Sequence, residues 1–170
     1  LRDPTEADKT ALEKGKNFSA EGLGYHKVQS TRPQTVGYLL ADSPAGQAAW
    51  ILEKFREWTD CDGHPENVLT RDELIDNIMF YWLTNSGASS ARIYWETFNP
   101  NQKIKPQPVL IPSAISLFPK ENMVGPRSWA EQRYKKIIYW NELDKGGHFA
   151  AFEQPELFVE EIRKWLRLFN

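Results

Sequence analysis

Cysteine is nearly missing from this sequence: Cys61 stands alone among 170 residues. A single thiol excludes an internal disulfide framework and a multi-cysteine zinc site. An excess of either charge is also lacking, since 21 Lys and Arg face 23 Asp and Glu for a formal net charge of -2. A nucleic-acid binder needs a basic face to neutralise phosphates, so no nucleic-acid partner is expected. No apolar run approaches the ~20 residues that span a bilayer, and no signal-peptide pattern opens the chain. The expectation is a cytoplasmic chain without a membrane segment. A Gly-x-Ser-x-Gly elbow, a His pair at ligand spacing and an acidic cluster are absent as well, so neither a metal nor another cofactor is expected. The first residues, Leu-Arg-Asp, do not include a starting Met, and the expectation is a piece of a longer protein.

What is present is a globular composition, with 41% hydrophobic, 26% charged and 13% aromatic residues. Residues 1–35 are polar, with a hint of helix only from Leu12 to Phe18. Ser43-Pro44 reads as a helix start, because Ser caps a free N–H and Pro at the first helical position loses none that would be paired. Behind it Ala48, Ile51, Leu52, Phe55 and Trp58 recur at three- and four-residue spacing, the mark of one buried stripe. The segment from Cys61 to Pro65 reads as a turn. Thr70 with Glu73 forms a capping-box pattern, opening a helix through Leu74, Ile75, Ile78, Met79 and Trp82. Gly87 and Ser89-Ser90 are read as a break, with a short helix from Arg92 to Phe98.

Beyond Asn99-Pro100 the pattern changes. Val109 to Ile115 is short, β-branched and flanked by prolines, which predicts a buried strand. Residues 128–134 follow as a helix, Lys136 to Trp140 as a second strand, Gly146-Gly147-His148 as a loop, and Pro155 onward as an amphipathic helix. Strand, helix, strand, loop, helix is the tail of an α/β fold with parallel strands. The predicted division is a helical module over 1–98 and an α/β portion over 99–170. Two strands make a sheet that is mostly edge, so this sheet calls for partners that the sequence does not supply. Such edges also leave association of two copies, a homodimer, open.

Few residues carry chemistry. His26 and His64 read as structural or exposed. His148 follows a predicted strand, where ligands gather in open α/β sheets, and a His there can serve as general base. A Gly-Gly loop can equally be a tight structural turn. Glu121 lies after the preceding strand and would emerge on the same sheet edge, suited to hold the imidazole tautomer; an exposed Glu paired with Lys120 fits the spacing as well. Cys61 lies between helices, and Asp42 and Ser43 have sufficient reason at a helix start, so no nucleophile is evident. Tyr25 and Tyr94 can each donate a hydrogen bond to an oxygen gaining charge, or simply bury a ring.

Three stretches change the weight of these alternatives. Residues 24–37 (Gly-Tyr-His-Lys-Val-Gln-Ser-Thr-Arg-Pro-Gln-Thr-Val-Gly) resemble the lid of microsomal-type epoxide hydrolases. Asp42 to Gly46 with Ile51 to Phe55, and Gly146 to Glu156, are similar to the same family in the same order. The resemblance implies the C-terminal part of an α/β-hydrolase fold, its last two parallel strands and flanking helices, preceded by part of a helical lid. It implies a small apolar epoxide substrate, a covalent hydroxyalkyl ester, and water that releases a vicinal diol, in a setting of detoxification or aromatic-hydrocarbon breakdown. On this reading His148 is the general base, Glu121 its acid partner, and Tyr25 and Tyr94 the donors to the epoxide oxygen. The Asp nucleophile would lie in a missing N-terminal half, leaving this chain inactive alone. The alternatives are a non-catalytic binding or interaction module and a haloalkane dehalogenase-like hydrolase.

Overall fold

A computed structural model describes residues 3–99 and 106–169. The chain divides into two units, each assembled from separated stretches: Leu1–Ser19, Trp58–Asp60 and Lys105–Asn170 in the first, Ala20–Glu57 and Cys61–Ile104 in the second. This is not a single cut at 98/99. The N-terminal helix and three residues near position 60 go with the α/β portion.

The first unit begins with helix α1 (Glu6–Asn17), started by a reciprocal capping box in which Thr5 and Asp8 each satisfy a free backbone N–H of the other. One turn of π-helix, Phe18–Gly22, follows it across the unit boundary. Two strands, β1 (Ser113–Leu117) and β2 (Ile137–Glu142), pair in parallel, with Ala114 opposite Tyr139 and Leu117 opposite Glu142. Helix α7 (Arg127–Arg133) lies in the connection between them. The predicted strand from Val109 is thus displaced. Val109 makes only an isolated bridge to Tyr134, and β1 starts at Ser113, directly after Pro112, which has no N–H to give a ladder. After β2 come the short helix α8 (Ala150–Glu153) and α9 (Pro155–Leu166), which ends in a 3-10 turn at Arg167–Phe169.

One carboxylate ties the sheet to α9. Glu161 is buried, and its Oε2 accepts hydrogen bonds from the Ser116 hydroxyl of β1 (2.8 Å) and from Tyr139 Oη (2.9 Å) and Asn141 Nδ2 (3.0 Å) of β2. Its other oxygen meets Lys164 Nζ at 2.8 Å. Burial alone would raise this carboxyl, but Lys164, Asn141, Ser116 and Tyr139 together hold it down to about 2.

The second unit is helical: α2 (Gly24–Thr31), α3 (Pro33–Asp42), most of α4 (Pro44–Trp58), α5 (Arg71–Leu83) and α6 (Gly87–Phe98). The sequence reading of residues 1–35 as largely non-helical fails here, since α2 and the start of α3 lie in that stretch. Their buried side includes the polar Gln29 and Ser30, which blurs any apolar stripe. The Ser43 hydroxyl accepts the Gly46 N–H at 3.0 Å, and Thr70 and Glu73 form the full capping box ahead of α5, so both helix starts stand as read. The predicted break at Gly87 does not. Helix α6 begins there, and the hydroxyls of Ser89 and Ser90 donate back to the carbonyls of Ser86 and Gly87, which fits them into the first turn. Val36 and Leu40 of α3 and Ala91 of α6 form one cluster of the core, with Trp50 of α4 against it. The Trp50 indole N–H donates to Gln29 Oε1 at 3.0 Å, which satisfies that buried amide oxygen.

Candidate active site

In the first unit, parallel pairing continues beyond the strands into the loops that follow them. Lys120 and Gly147 form a parallel bridge, and the Lys120 N–H donates to the Gly146 carbonyl at 3.0 Å. The residues one step further along the chain, Glu121 and His148, therefore emerge side by side. His148 Nδ1 lies 2.9 Å from Glu121 Oε1 and 3.1 Å from Oε2. With Glu121 ionised, Nδ1–H donates and Nε2 is left as the free nitrogen, the tautomer that a general base requires.

The electrostatics of the pair are mutual. The Glu121 hydrogen bond raises the His148 imidazolium above its usual range, burial opposes this, and the charges of Glu121 and Glu153 add to the rise. Burial would raise Glu121, yet the His148 hydrogen bond and charge, the Asn122 N–H and the nearby Lys14 hold its carboxyl below the ordinary value. Both side chains remain partly open, 42% exposed for His148 and 33% for Glu121, so water reaches them.

The loop that carries the base is tightly seated. Gly146 has φ +102°, a conformation that a residue with a side chain rarely adopts. A Cβ at Gly147 would run into the Trp58 carbonyl and approach the Asp60 N at 3.2 Å. The stretch Trp58–Asp60 lies along this loop as a strap. The His148 N–H donates to Trp58 O at 2.8 Å, and the Gly146 N–H to Asp60 Oδ2 at 3.0 Å. The Trp58 ring meets the His148 imidazole edge-on, 5.1 Å between centroids.

In the second unit, Tyr25 of α2 and Tyr94 of α6 meet edge to face at 5.6 Å. His26 and Phe98 complete an aromatic group around Tyr94, and the Lys54 ammonium lies 5.3 Å over the Tyr25 ring. Burial first, then the adjacent Tyr94, push the Tyr25 phenol up to about 12, so it is protonated and able to donate at neutral pH. The sequence reading took His26 as structural or exposed; it is half-buried among these rings.

The remaining candidates have local roles. His64 Nδ1 accepts the Glu66 N–H at 3.3 Å as the cap of a 3-10 turn. Cys61 is buried, and its thiol donates to the Arg56 carbonyl at 3.4 Å. Asp42 ends α3 and Ser43 caps α4. Among the described residues no group of three His, Cys, Asp or Glu side chains is arranged to hold a metal ion, and no helix is long and apolar enough to cross a membrane. Sequence reasoning missed Glu153 and the strap. The available signal was an acidic residue directly after the apolar run Phe149–Phe152, while the strap is invisible because its partners lie some ninety positions away in the chain.

No family model matches the chain. Comparison with whole proteins is decisive. A protein of Stigmatella aurantiaca (strain DW4/3-1) that carries an epoxide hydrolase name is 54% identical over 165 residues, 97% of this chain and 37% of that protein. Epoxide hydrolase 1 of Sus scrofa is 43% identical over 157 residues, covering 85% of this chain and 34% of its own length. The crystal structure of juvenile hormone epoxide hydrolase from the silkworm Bombyx mori superposes with a TM-score of 0.82 at 36% identity, over 94% of this chain and 41% of that one. The chain belongs to the epoxide hydrolase family. The epoxide hydrolase of Aspergillus niger superposes equally well, with a TM-score of 0.82 at 29% identity over 99% of this chain and 41% of the other. The fold is therefore part of the α/β-hydrolase fold of the epoxide hydrolases. The chain spans between about a third and two fifths of the length of these relatives.

Proposed function

We propose that this chain supplies the water-activating pair and the oxygen-gripping tyrosines of an epoxide hydrolase, in concert with an Asp nucleophile that lies outside it. The observation that carries the reading is the His148–Glu121 hydrogen bond at the ends of two adjacent parallel strands, 2.9 Å in length, with Nε2 left to face water. In the proposed sequence the Asp carboxylate attacks one epoxide carbon and the C–O bond breaks. Tyr25 and Tyr94 donate hydrogen bonds to the oxygen as it gains charge, and one phenol delivers the proton that completes the alcohol. A hydroxyalkyl ester results. His148 Nε2 then removes a proton from water as the oxygen attacks the ester carbonyl, and Glu121 stabilises the imidazolium. Collapse breaks the ester C–O bond, and the leaving alkoxide takes the remaining proton of the attacking water from the carboxyl to give the vicinal diol and the carboxylate. The imidazolium proton returns to the phenolate. The helical unit is assigned to the lid and the unit containing the sheet to the catalytic domain.

The choice of an epoxide over a haloalkane rests on the tyrosine pair, since an alkoxide leaving oxygen must be protonated and a halide need not be. The test is His148→Gln in a product long enough to contain the nucleophile. With styrene oxide as probe, ring opening should proceed and a protein adduct of the epoxide's mass should accumulate in the mass spectrum. Steady turnover should fall by about 10³-fold or more. An unmodified protein with an intact, reactive Asp would remove the general-base role, and halide release from a haloalkane without diol formation would overturn the substrate class.

A further inference from the structure

The carboxylate of Glu153 is buried, with 5% of the residue exposed, and among the described residues it takes part in no ion pair. Its charge is met by backbone N–H groups from two separate stretches of chain. Gly147 N donates to Oε1 at 3.0 Å, and Asp60 N donates to Oε2 at 2.7 Å. One oxygen thus serves the loop that carries His148, and the other serves the strap. Burying a carboxylate without a cation is costly unless its lone pairs are filled, so strong N–H bonds at both oxygens are the condition of its presence. A neutral side chain of the same shape satisfies only half of this arrangement. The amide of a Gln has one acceptor oxygen, and its NH2 would face an N–H donor.

The geometry has a consequence for the imidazole. Gly147 is the residue immediately before His148, and its N–H is fixed by Glu153. The His148 N–H is itself fixed by the Trp58 carbonyl at 2.8 Å, whose strap Glu153 also holds. The Trp58 ring meets the imidazole edge-on, while Glu121 fixes Nδ1. We propose that Glu153 is a positioning residue for the general base: it stitches the Gly146–His148 loop to the Trp58–Asp60 strap and so holds the His148 imidazole in register with Glu121. This rests on the reading of His148 as the base. The charged groups around the imidazole are Glu121 and Glu153, with Asp60 on the strap and Lys14 beside Glu121. Glu153 adds negative charge to this set and favours the imidazolium, as Glu121 does.

The experiment uses the chain itself and no epoxide. In NMR spectra the Gly147 and Asp60 amide protons should be shifted downfield and protected from exchange by at least about 10²-fold. In Glu153→Gln, protection at Asp60 or Gly147 should fall by at least tenfold, and the His148 imidazole should titrate at lower pH than in the parent chain. Amides of the second unit, Leu40 among them, should keep their protection and so report an intact fold. A folded Glu153→Gln chain with unchanged His148 titration and unchanged amide protection overturns the proposal. Should that variant fail to fold, the parent chain decides: the Gly147 and Asp60 amide shifts must follow one common carboxylate titration, and independent shifts overturn the stitch. In the longer enzyme Glu153→Gln should lower kcat by roughly 10- to 100-fold with KM falling alongside it, because only ester hydrolysis is slowed, and move the acid limb of the kcat pH profile down. Failure of His148→Gln to trap an ester would remove the function and leave these couplings standing.

Discussion

The two units hold their candidate chemical groups by opposite means. In the first, Glu121, Glu153 and Glu161 each anchor a different piece of chain, and the bonds are short and charge-assisted. In the second, Tyr25, His26, Tyr94 and Phe98 are held by ring-on-ring contact, and the core beside them is Val36, Leu40 and Ala91. The contrast suits the tasks proposed for each. A base must change protonation state, so its surroundings must respond to charge. A phenol that donates to an alkoxide must stay protonated, and burial beside Tyr94 pushes Tyr25 up to about 12, which does that.

The comparison breaks most visibly at Glu121. Glu121→Gln removes the anion that stabilises imidazolium, and hydrolysis in the longer enzyme should fall by about 10³-fold, roughly 4 kcal/mol. The sign of the pH effect is fixed by the raised His148 value in the parent: the base is active only where the imidazole is neutral, so activity falls as pH drops through that value. Without the Glu121 charge, the residual activity should keep its plateau to lower pH, read from kcat across a pH series.

Leu40→Ala tests the other side. Leu40 is 3% exposed, and removing three buried carbons should lower stability by about 3 kcal/mol in urea unfolding. The loss should be the same at pH 7 and pH 3, because no titrating group is involved. Glu161→Gln is the counterpart in the first unit, with an expected cost of about 2 kcal/mol at pH 7. Its folded value of about 2 lies below the ordinary 4.5, so the stabilisation is complete above 4.5 and is lost as pH falls towards 2. The gap between parent and Glu161→Gln should therefore close in acid while the Leu40→Ala gap persists. Equal pH dependence in both would erase the distinction between the units. The smallest effect belongs to Tyr25→Phe, about tenfold on single-turnover ring opening, since Tyr94 can still donate. Stability should change by under about 1 kcal/mol, as the ring contact with Tyr94 is kept.

What was legible in the chain beforehand was local. Thr70 with Glu73, and Ser43 with Pro44, announce helix starts because the groups that satisfy each other are within three residues. The partnership of Glu121 and His148 was legible as two loops on one sheet edge, since parallel pairing brings equivalent loop positions together. Glu161 was overlooked although its address was readable: it falls three and four positions after Phe158 and Leu157, on the apolar side of α9, where an acid has no business without partners. Pro112 should have argued against a strand running from Val109 to Ile115. The membership of residues 58–60 in the first unit could not be read at all, because nothing in the chain near Trp58 speaks of Gly146.

That strap has a consequence for the order in which the molecule forms. Glu153 and Gly147 are 6 residues apart and His148 and Glu121 are 27 apart, whereas Glu153 and Asp60 are separated by 93 and Gly146 and Asp60 by 86. Loop closure becomes more costly as the intervening chain lengthens, so the turn around the base and then the His–Glu pair assemble ahead of the strap. The imidazole acquires its acid partner early and its fixed bearing late. A chain caught partway through folding would hold a correctly paired histidine that still swings, and maturation of the site would lag behind formation of the sheet.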